Sequence, residues 1–232
     1  MLILGIESAT AQVGCAIGGH EGVLASAHSA SGRRHAESLA PQIEFTLSQA
    51  CIDISEISVV AVDVGPGLFT GLRVGISTAM AIAFGLSVPM IGVSSLDLLA
   101  FPVRHTRRLI AATIDARRGE LFTAFYRQVP GGVQRVSEPQ VVTPDDLYGE
   151  LQAASTECLV VGDGALRYRD MLEGLTKVEI ADESLAYPSA SSLVALAHAR
   201  ALREEFVQPT EIKPLYLRRP DAEINWQTRP AQ

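Results

Sequence analysis

An order of elements that occurs twice restricts the fold of this chain more than any single motif. Apolar alternation and β-branched enrichment predict strands over about residues 2–8, 12–18 and 22–29, joined by turns such as Gly18-Gly19-His20-Glu21-Gly22. A helix follows over about 34–50, where Ala36, Leu39, Ala40, Ile43 and Leu47 recur at helical spacing and Pro41 predicts a kink. Next come a buried strand over about 58–64, a Gly65-Pro66-Gly67 loop, a helix over 69–86, a short strand over 90–93 and a helix opened by Ser94 or Ser95. The succession then returns, with strands over about 108–115, 120–128 and 133–142 and a helix after Thr143-Pro144-Asp145-Asp146. A strand over about 158–161, a helix over 166–172, a strand over 177–180 and a helix over 189–206 complete it. Twice the chain opens β-β-β-α-β-α and adds a further strand and helix. Three hairpin-linked strands followed by crossover helices are not a doubly wound order, so the expectation is an α/β protein of two duplicated lobes, each with a mixed sheet. Pro102 and a basic cluster divide the lobes, giving 1–105, 106–207 and a C-terminal segment 208–232 whose polar tail, from Asp221, is expected to be mobile.

Composition narrows the function classes. Of 232 residues, 47% are hydrophobic and 19% charged, too apolar for a disordered chain, and no apolar run reaches the ~20 residues that span a bilayer. Nineteen basic against 26 acidic residues give a formal charge of −7, so tRNA or DNA is not expected to be held by this chain alone. The opening MLILGIESAT lacks a basic stretch ahead of a long apolar one, which predicts no export and a cytoplasmic protein. Cys15, Cys51 and Cys158 form no CxxC pair and read as reduced thiols.

A duplicated architecture sets Glu7-Ser8-Ala9-Thr10 opposite Asp115-Ala116-Arg117-Arg118 across a cleft. An acid followed by hydroxyls at a strand end suits a phosphate and magnesium loop; a turn in which Ser8 and Thr10 satisfy backbone groups suits it equally. Gly162-Asp163-Gly164 is either the wall of a base or ribose pocket or a simple turn. Together Glu7, Ser8, Thr10, Asp115, Gly162 and Gly164 form the candidate nucleotide cleft. The loop Gly65-Pro66-Gly67-Leu68-Phe69-Thr70-Gly71 is neither a Walker motif nor a dinucleotide fingerprint. The helix after it carries small residues at steps of four, Gly71, Gly75, Ala79 and Ala83, beside Leu72, Ile76, Met80 and Phe84. Two glycines on one helical face point to a closely approaching backbone, from this chain or from a partner. The five histidines form no HExxH motif, and Gly75-Ile76-Ser77-Thr78-Ala79 is not a nucleophile elbow, so neither a zinc nor a serine hydrolase is supported.

Six collinear segments, ILGIESAT, HAESLAPQI, GPGLFTGLRVG, PMIGVSSLDLLA, IDARRGELF and PLYLRR, resemble the TsaB family of bacterial tRNA threonylcarbamoyladenosine biosynthesis proteins, from Leu2 to about Arg219. The resemblance implies the actin-like ATPase fold and work in the cytoplasm with TsaD and, through the complex, with the ATPase TsaE. It implies that TsaD transfers threonylcarbamoyl to the adenosine beside the anticodon of tRNAs reading codons that begin with A, with tRNA met only indirectly by this chain. The catalytic relative carries a metal-binding HxxxH pattern where this chain has Ser95-Leu96-Asp97-Leu98-Leu99. The resemblance therefore implies a non-catalytic partner of TsaD, with no metal, no cofactor of its own and ATP used by the complex. An actin-like ATPase or small-molecule kinase is the alternative, and a protease would need a hydrolytic centre that the sequence does not present. The family's contact helices predict an interface with TsaD, or a homodimer, through His35, Leu39, Ile43, Gly71, Leu72, Gly75, Ile76, Ala79 and Met80.

Overall fold

A computed structural model describes residues 1–30 and 35–218. The first sheet contains β1 (Leu2–Glu7), β2 (Val13–Gly19), β3 (Gly22–Ser29), β4 (Ile57–Gly65) and β5 (Met90–Ser94), in the order β3-β2-β1-β4-β5. The second contains β6 (Leu109–Arg117), β7 (Glu120–Val129), β8 (Gly132–Arg135), β9 (Gln140–Val142), β10 (Cys158–Val161) and β11 (Val178–Ile180), in the order β11-β10-β6-β7-β8, with β9 also on β7. With β6 in the place of β1, the second sheet repeats the first: antiparallel hairpins on one side, two parallel strands on the other. The chain thus folds as the two duplicated α/β lobes that its repeated order predicts.

Strand alternation assigns the layers. Leu4 and Ile6 of β1 face α1 (His35–Ala50) and α2 (Phe69–Leu86), while Ile3 faces α7 (Ala190–Ala201). In the second sheet Ile110, Ala112 and Ile114 face α3 (Ser95–Ala100), and Ala111 faces α4 (Pro144–Ala153), α5 (Asp163–Arg167) and α6 (Arg169–Leu172). Two helices are therefore exchanged. The helix α3 follows the first sheet and covers the second; α7 follows the second and covers the first. Packing does not respect a border at 207: Val207 bridges to Met90, Ile212 joins the first core, and the Leu215 amide donates to the Val64 carbonyl at 2.7 Å. Arg34, the expected start of the first helix, and the tail from Asp221 lie outside the described residues.

Several boundaries differ from the expectation, each for a local reason. The strand expected over 133–142 is two strands, because Pro139 has no amide to give a ladder and Ser137 instead accepts the Phe125 amide through Oγ at 2.8 Å. The last helix ends at Ala201, and Glu204 adopts φ 58°, turning the chain back toward Val207. The helix expected over 166–172 begins at Asp163 and divides at Tyr168 into α5 and α6. Pro41 lies inside α1, which runs unbroken from His35 to Ala50. In the second half Thr143 caps α4 as expected, reciprocally with Asp146.

The helix α2 comes unusually close to the end of β1. A Cβ on Gly71 would overlap the Ser8 carbonyl oxygen, and one on Gly75 would overlap the Ser8 hydroxyl, which donates to the Gly71 carbonyl at 2.8 Å. The approaching backbone belongs to this chain. Among the described residues α2 is the one helix long and apolar enough to cross a membrane, yet Gly71, Leu72, Gly75, Ile76, Ala79 and Ala83 are buried within the first lobe. Gly71→Ala should lower stability by about 1–3 kcal/mol in urea unfolding, because backbone must shift. At Gly85 of the same helix an added Cβ meets nothing within 4 Å. Gly85→Ala should therefore gain about 0.5–1 kcal/mol, and equal effects at the two positions would remove the role of the contact.

Candidate functional site

The parallel register that pairs Ile6 with Val62 sets Glu7, at the end of β1, beside Asp63 of β4. Glu7 is 0% exposed and Asp63 2%. Glu7 Oε1 accepts the Ala9 amide at 2.8 Å; Asp63 Oδ1 accepts the Gly65 amide at 2.8 Å and the Ser95 hydroxyl at 2.6 Å. The second oxygens, Glu7 Oε2 and Asp63 Oδ2, are buried without a hydrogen-bond partner. Burial, and then repulsion from Asp63, hold the Glu7 carboxyl well above its ordinary range; burial pushes Asp63 up to about 7. Sequence reasoning missed Asp63, although a lone acid inside the run Val59-Val60-Ala61-Val62-Asp63-Val64 was a readable signal.

The hydroxyls of this loop serve the chain's own backbone. Ser8 donates to Gly71, Thr10 Oγ1 accepts the Gln12 amide at 3.4 Å, and the Thr10 carbonyl accepts His35 Nε2 at 2.8 Å. Of the two readings left open, the turn is the one these contacts make.

The second lobe ends differently. Asp115 Oδ1 accepts the Arg117 amide at 2.9 Å, and Oδ2 is clamped by Arg117 Nη1 at 2.9 Å and Arg167 Nη1 at 3.3 Å. Asp163 Oδ1 accepts the Asp115 amide at 2.9 Å, and burial pushes the Asp163 carboxyl up to about 6. Arg118 and Gly119 form the tip of the β6–β7 hairpin with φ 56° and 76°, the pattern of a tight two-residue turn. Gly162 has φ 110°, and a Cβ there would overlap the Thr113 carbonyl oxygen, so this glycine permits close passage of β6. Gly164 lies against Leu121 and Thr113. Among the described residues no hydrogen bond or ion pair links Glu7, Ser8 or Thr10 to Asp115, Gly162 or Gly164.

What stands between the two strand ends is α3. Ser95 bonds Asp63 in the first lobe, and Leu99, one turn later, packs against Gly162 in the second. Between them Asp97 accepts the Tyr126 hydroxyl at 2.8 Å and pairs with Arg135 Nη2 at 2.6 Å and Arg200 Nη2 at 3.5 Å. An engaged hydroxyl and a buried leucine do not fit the relative's metal. Among the described residues no group of three or more His, Cys, Asp and Glu side chains is placed to hold a metal ion.

The expected partner surface is corrected by the structure. His35, Leu39, Ile43, Leu72, Ile76 and Ala79 are buried, as are Gly71 and Gly75, and Met80 is partly buried against the same core. Helical periodicity marks an apolar stripe without saying what covers it, and here the covering element is the first sheet. The outward faces of these helices carry Phe45, 55% exposed, and Phe84, 54% exposed, with Ala40, Pro41 and Ala81 also exposed.

Comparison with known proteins bears on the family and the fold. The family model described as TsaD, tRNA N6-adenosine threonylcarbamoyltransferase, matches residues 24–226. The tRNA threonylcarbamoyladenosine biosynthesis protein TsaB of Escherichia coli is 28% identical over 235 residues, covering 100% of both chains. A solved structure of YeaZ from Pseudomonas aeruginosa superposes with a TM-score of 0.78 at 26% identity, over 93% of this chain and 99% of that one. Component A of the Acidaminococcus fermentans (R)-2-hydroxyglutaryl-CoA dehydratase, at 13% identity, TM-score 0.52 and coverage of 87% and 99%, shares the fold alone.

Asp163 generates a sign-specific expectation. Its raised value means that the folded protein holds the proton more tightly than the unfolded chain, so wild type loses stability as pH rises through the ordinary aspartate range up to about 6. Asp163→Asn, which keeps an acceptor for the Asp115 amide, should be spared that loss, by roughly 2 kcal/mol in urea unfolding above the window. Asp163→Ala leaves the amide unpartnered and should cost about 1–3 kcal/mol. Parallel pH profiles for wild type and Asp163→Asn would remove this assignment.

Proposed function

The chain belongs to the TsaD family, on its TsaB branch, and from that membership we propose that it serves tRNA threonylcarbamoyladenosine biosynthesis as a non-catalytic partner of TsaD in the bacterial cytoplasm. The observation that carries the non-catalytic reading is the use made of α3. At the positions of the relative's histidine pair, Ser95 donates to Asp63 and Leu99 fills the space beside Gly162. The candidate nucleotide loops support the same reading, since the Ser8 hydroxyl, the Thr10 carbonyl and Asp115 are engaged by Gly71, His35, and Arg117 with Arg167. ATP, TsaE and tRNA then belong to the complex rather than to this chain, and the formal charge of −7 is in keeping with indirect contact with tRNA.

The purified chain should transfer no threonylcarbamoyl group and carry no stoichiometric transition metal. One tightly bound equivalent of iron or zinc, lost on substitution within α3, would overturn the reading. Calorimetry with ATP should give a Kd weaker than about 1 μM; tighter binding would favour the ATPase alternative.

The surface proposed for TsaD is the outward side of α1 and α2. The two helices pack into one apolar cluster on the same side of the first sheet, and each leaves a large aromatic exposed, Phe45 on α1 and Phe84 on α2. Large exposed aromatics supply the central anchors of stable interfaces. The same face is the proposed homodimer contact in the absence of TsaD. Phe84→Glu should weaken association with TsaD by about 2 kcal/mol, roughly thirtyfold in Kd, with a melting temperature close to wild type. Unchanged affinity would put the interface elsewhere. Gly75→Glu is unsuitable as a probe, because it forces a carboxylate against Ser8 and should unfold the lobe.

A further inference from the structure

The ends of β1 and β4 contain two buried carboxylates and no visible counter-charge. Alternation along both strands turns Glu7 and Asp63 to the same side of the sheet as Ile3 and Ala61, the side covered by α7. The elements around them contribute little charge. Gly14 of β2 is opposite Glu7, and Val93 of β5 is beside Asp63. Ala190, Leu193 and Val194 are what α7 presents where it crosses Gly5 of β1. From α3 come the Ser95 hydroxyl and the Asp97 carboxylate, the latter held by Arg135 and Arg200. From α1, His35 is bound to the Thr10 carbonyl, and Arg73 of α2 is exposed and stacked on Phe69. Among the described residues no arginine, lysine or histidine pairs with either acid.

Two carboxylates in a dry site are neutralised by a basic side chain, a metal ion or a proton. Among the described residues the first is absent. A hard divalent cation held by two carboxylates completes its shell of six or more oxygens with water or phosphate, whereas Glu7 is 0% and Asp63 2% exposed and the Ser95 hydroxyl already donates to Asp63. A shared proton needs only the two unpartnered oxygens, one carboxyl donating to the other, which is what like charges on neighbouring positions of paired strands favour. We infer that Glu7 and Asp63 hold one proton between Oε2 and Oδ2, and that this proton is a pH-sensitive latch joining the ends of β1 and β4 beneath α3. The other oxygens of the pair fasten Ala9 in the β1–β2 turn, Gly65 in the glycine loop and Ser95 at the start of α3. Loss of the proton sets two charges against each other at the point where all three segments are tied.

The direction follows from linkage. Burial raises both carboxyls, Asp63 to about 7, so the folded state binds more protons than the unfolded chain above the ordinary carboxylate range. The pair's contribution to stability is fully present below the ordinary carboxylate range and falls as pH rises through about 7, where the pair passes from two protons to one. The shared proton itself is given up above that, at the Glu7 step. The test uses the full chain. Carboxyl carbon NMR of Asp- and Glu-labelled protein should show a pair that titrates in two separated steps, still singly protonated near neutral pH. Both carboxylates found ionised at about pH 5 would overturn the proposal. In urea unfolding, Asp63→Asn puts a permanent N–H donor beside Glu7. Relative to that variant, the wild-type folding constant should fall by up to about tenfold per pH unit through the window, and parallel profiles would overturn the latch. If Asp63→Asn does not fold, Glu7→Gln and the wild-type titration decide. Magnesium or manganese that raises the melting temperature of wild type but not of Glu7→Gln would assign the free oxygens to a metal instead.

Discussion

One serine fixes the geometry of the first lobe. Ser8 lies against Gly71 and Gly75, with its hydroxyl on the Gly71 carbonyl, so the end of β1 is drawn into the interior beside α2. Alternation then leaves Glu7 no route to solvent: if Ser8 faces α2, its neighbour must face the opposite side, where α7 and α3 lie. The parallel register brings Asp63 to the same level. The dry carboxylate pair is thus a consequence of how closely a glycine-bearing helix can pack on a strand end.

The duplicated lobes meet this electrostatic problem in different ways. In the second lobe Asp115 is buried, but Arg117 and Arg167 reach it from solvent, with about half of each side chain still exposed. Such charges keep much of their hydration, and the ion pairs need little compensation from the protein. Among the described residues no arginine pairs with Glu7, and desolvation there falls on the acids themselves. Sequence duplication has preserved the topology strand for strand, while the chemistry at equivalent strand ends has diverged.

The repeated order was legible because each lobe is built from local patterns: alternation in the strands, capping at Thr143, and periodicity over α1 and α2, whose helical spans needed almost no adjustment. What covers a stripe was not legible. Gly71, Gly75 and Ala79 would look the same in sequence whether a partner helix or the chain's own β1–β2 turn lay against them, because the glycines report proximity and not its source. The exchange of α3 and α7 between sheets was hidden for a related reason: each is an apolar segment of ordinary length, and only tertiary packing decides which sheet it serves. At the site, Glu7, Asp115, Gly162 and Gly164 were found by motif position, yet Asp63, Asp97 and Arg167 were not, since their partners are remote in sequence.

The exchanged helices also bear on how a protein of this family can act. If Ser95 and Leu99 were simple losses, α3 would leave a gap between the lobes. Instead Ser95 is bonded to the first lobe, Leu99 is packed on the second, and Asp97 ties α3 to β7, β8 and α7 through Tyr126, Arg135 and Arg200. Burial and the adjacent Asp97 carboxylate raise the Tyr126 phenol far above its ordinary range, so it remains a donor to that carboxylate throughout neutral pH. A single turn of helix therefore braces both sheets. An actin-like enzyme has to admit its nucleotide between the lobes, whereas a protein that presents a helical face to a partner gains affinity from being held in one shape. Ser95, Asp97 and Leu99 devote their contacts to joining the two sheets, and on the proposed role that bracing, rather than a metal, is what α3 contributes.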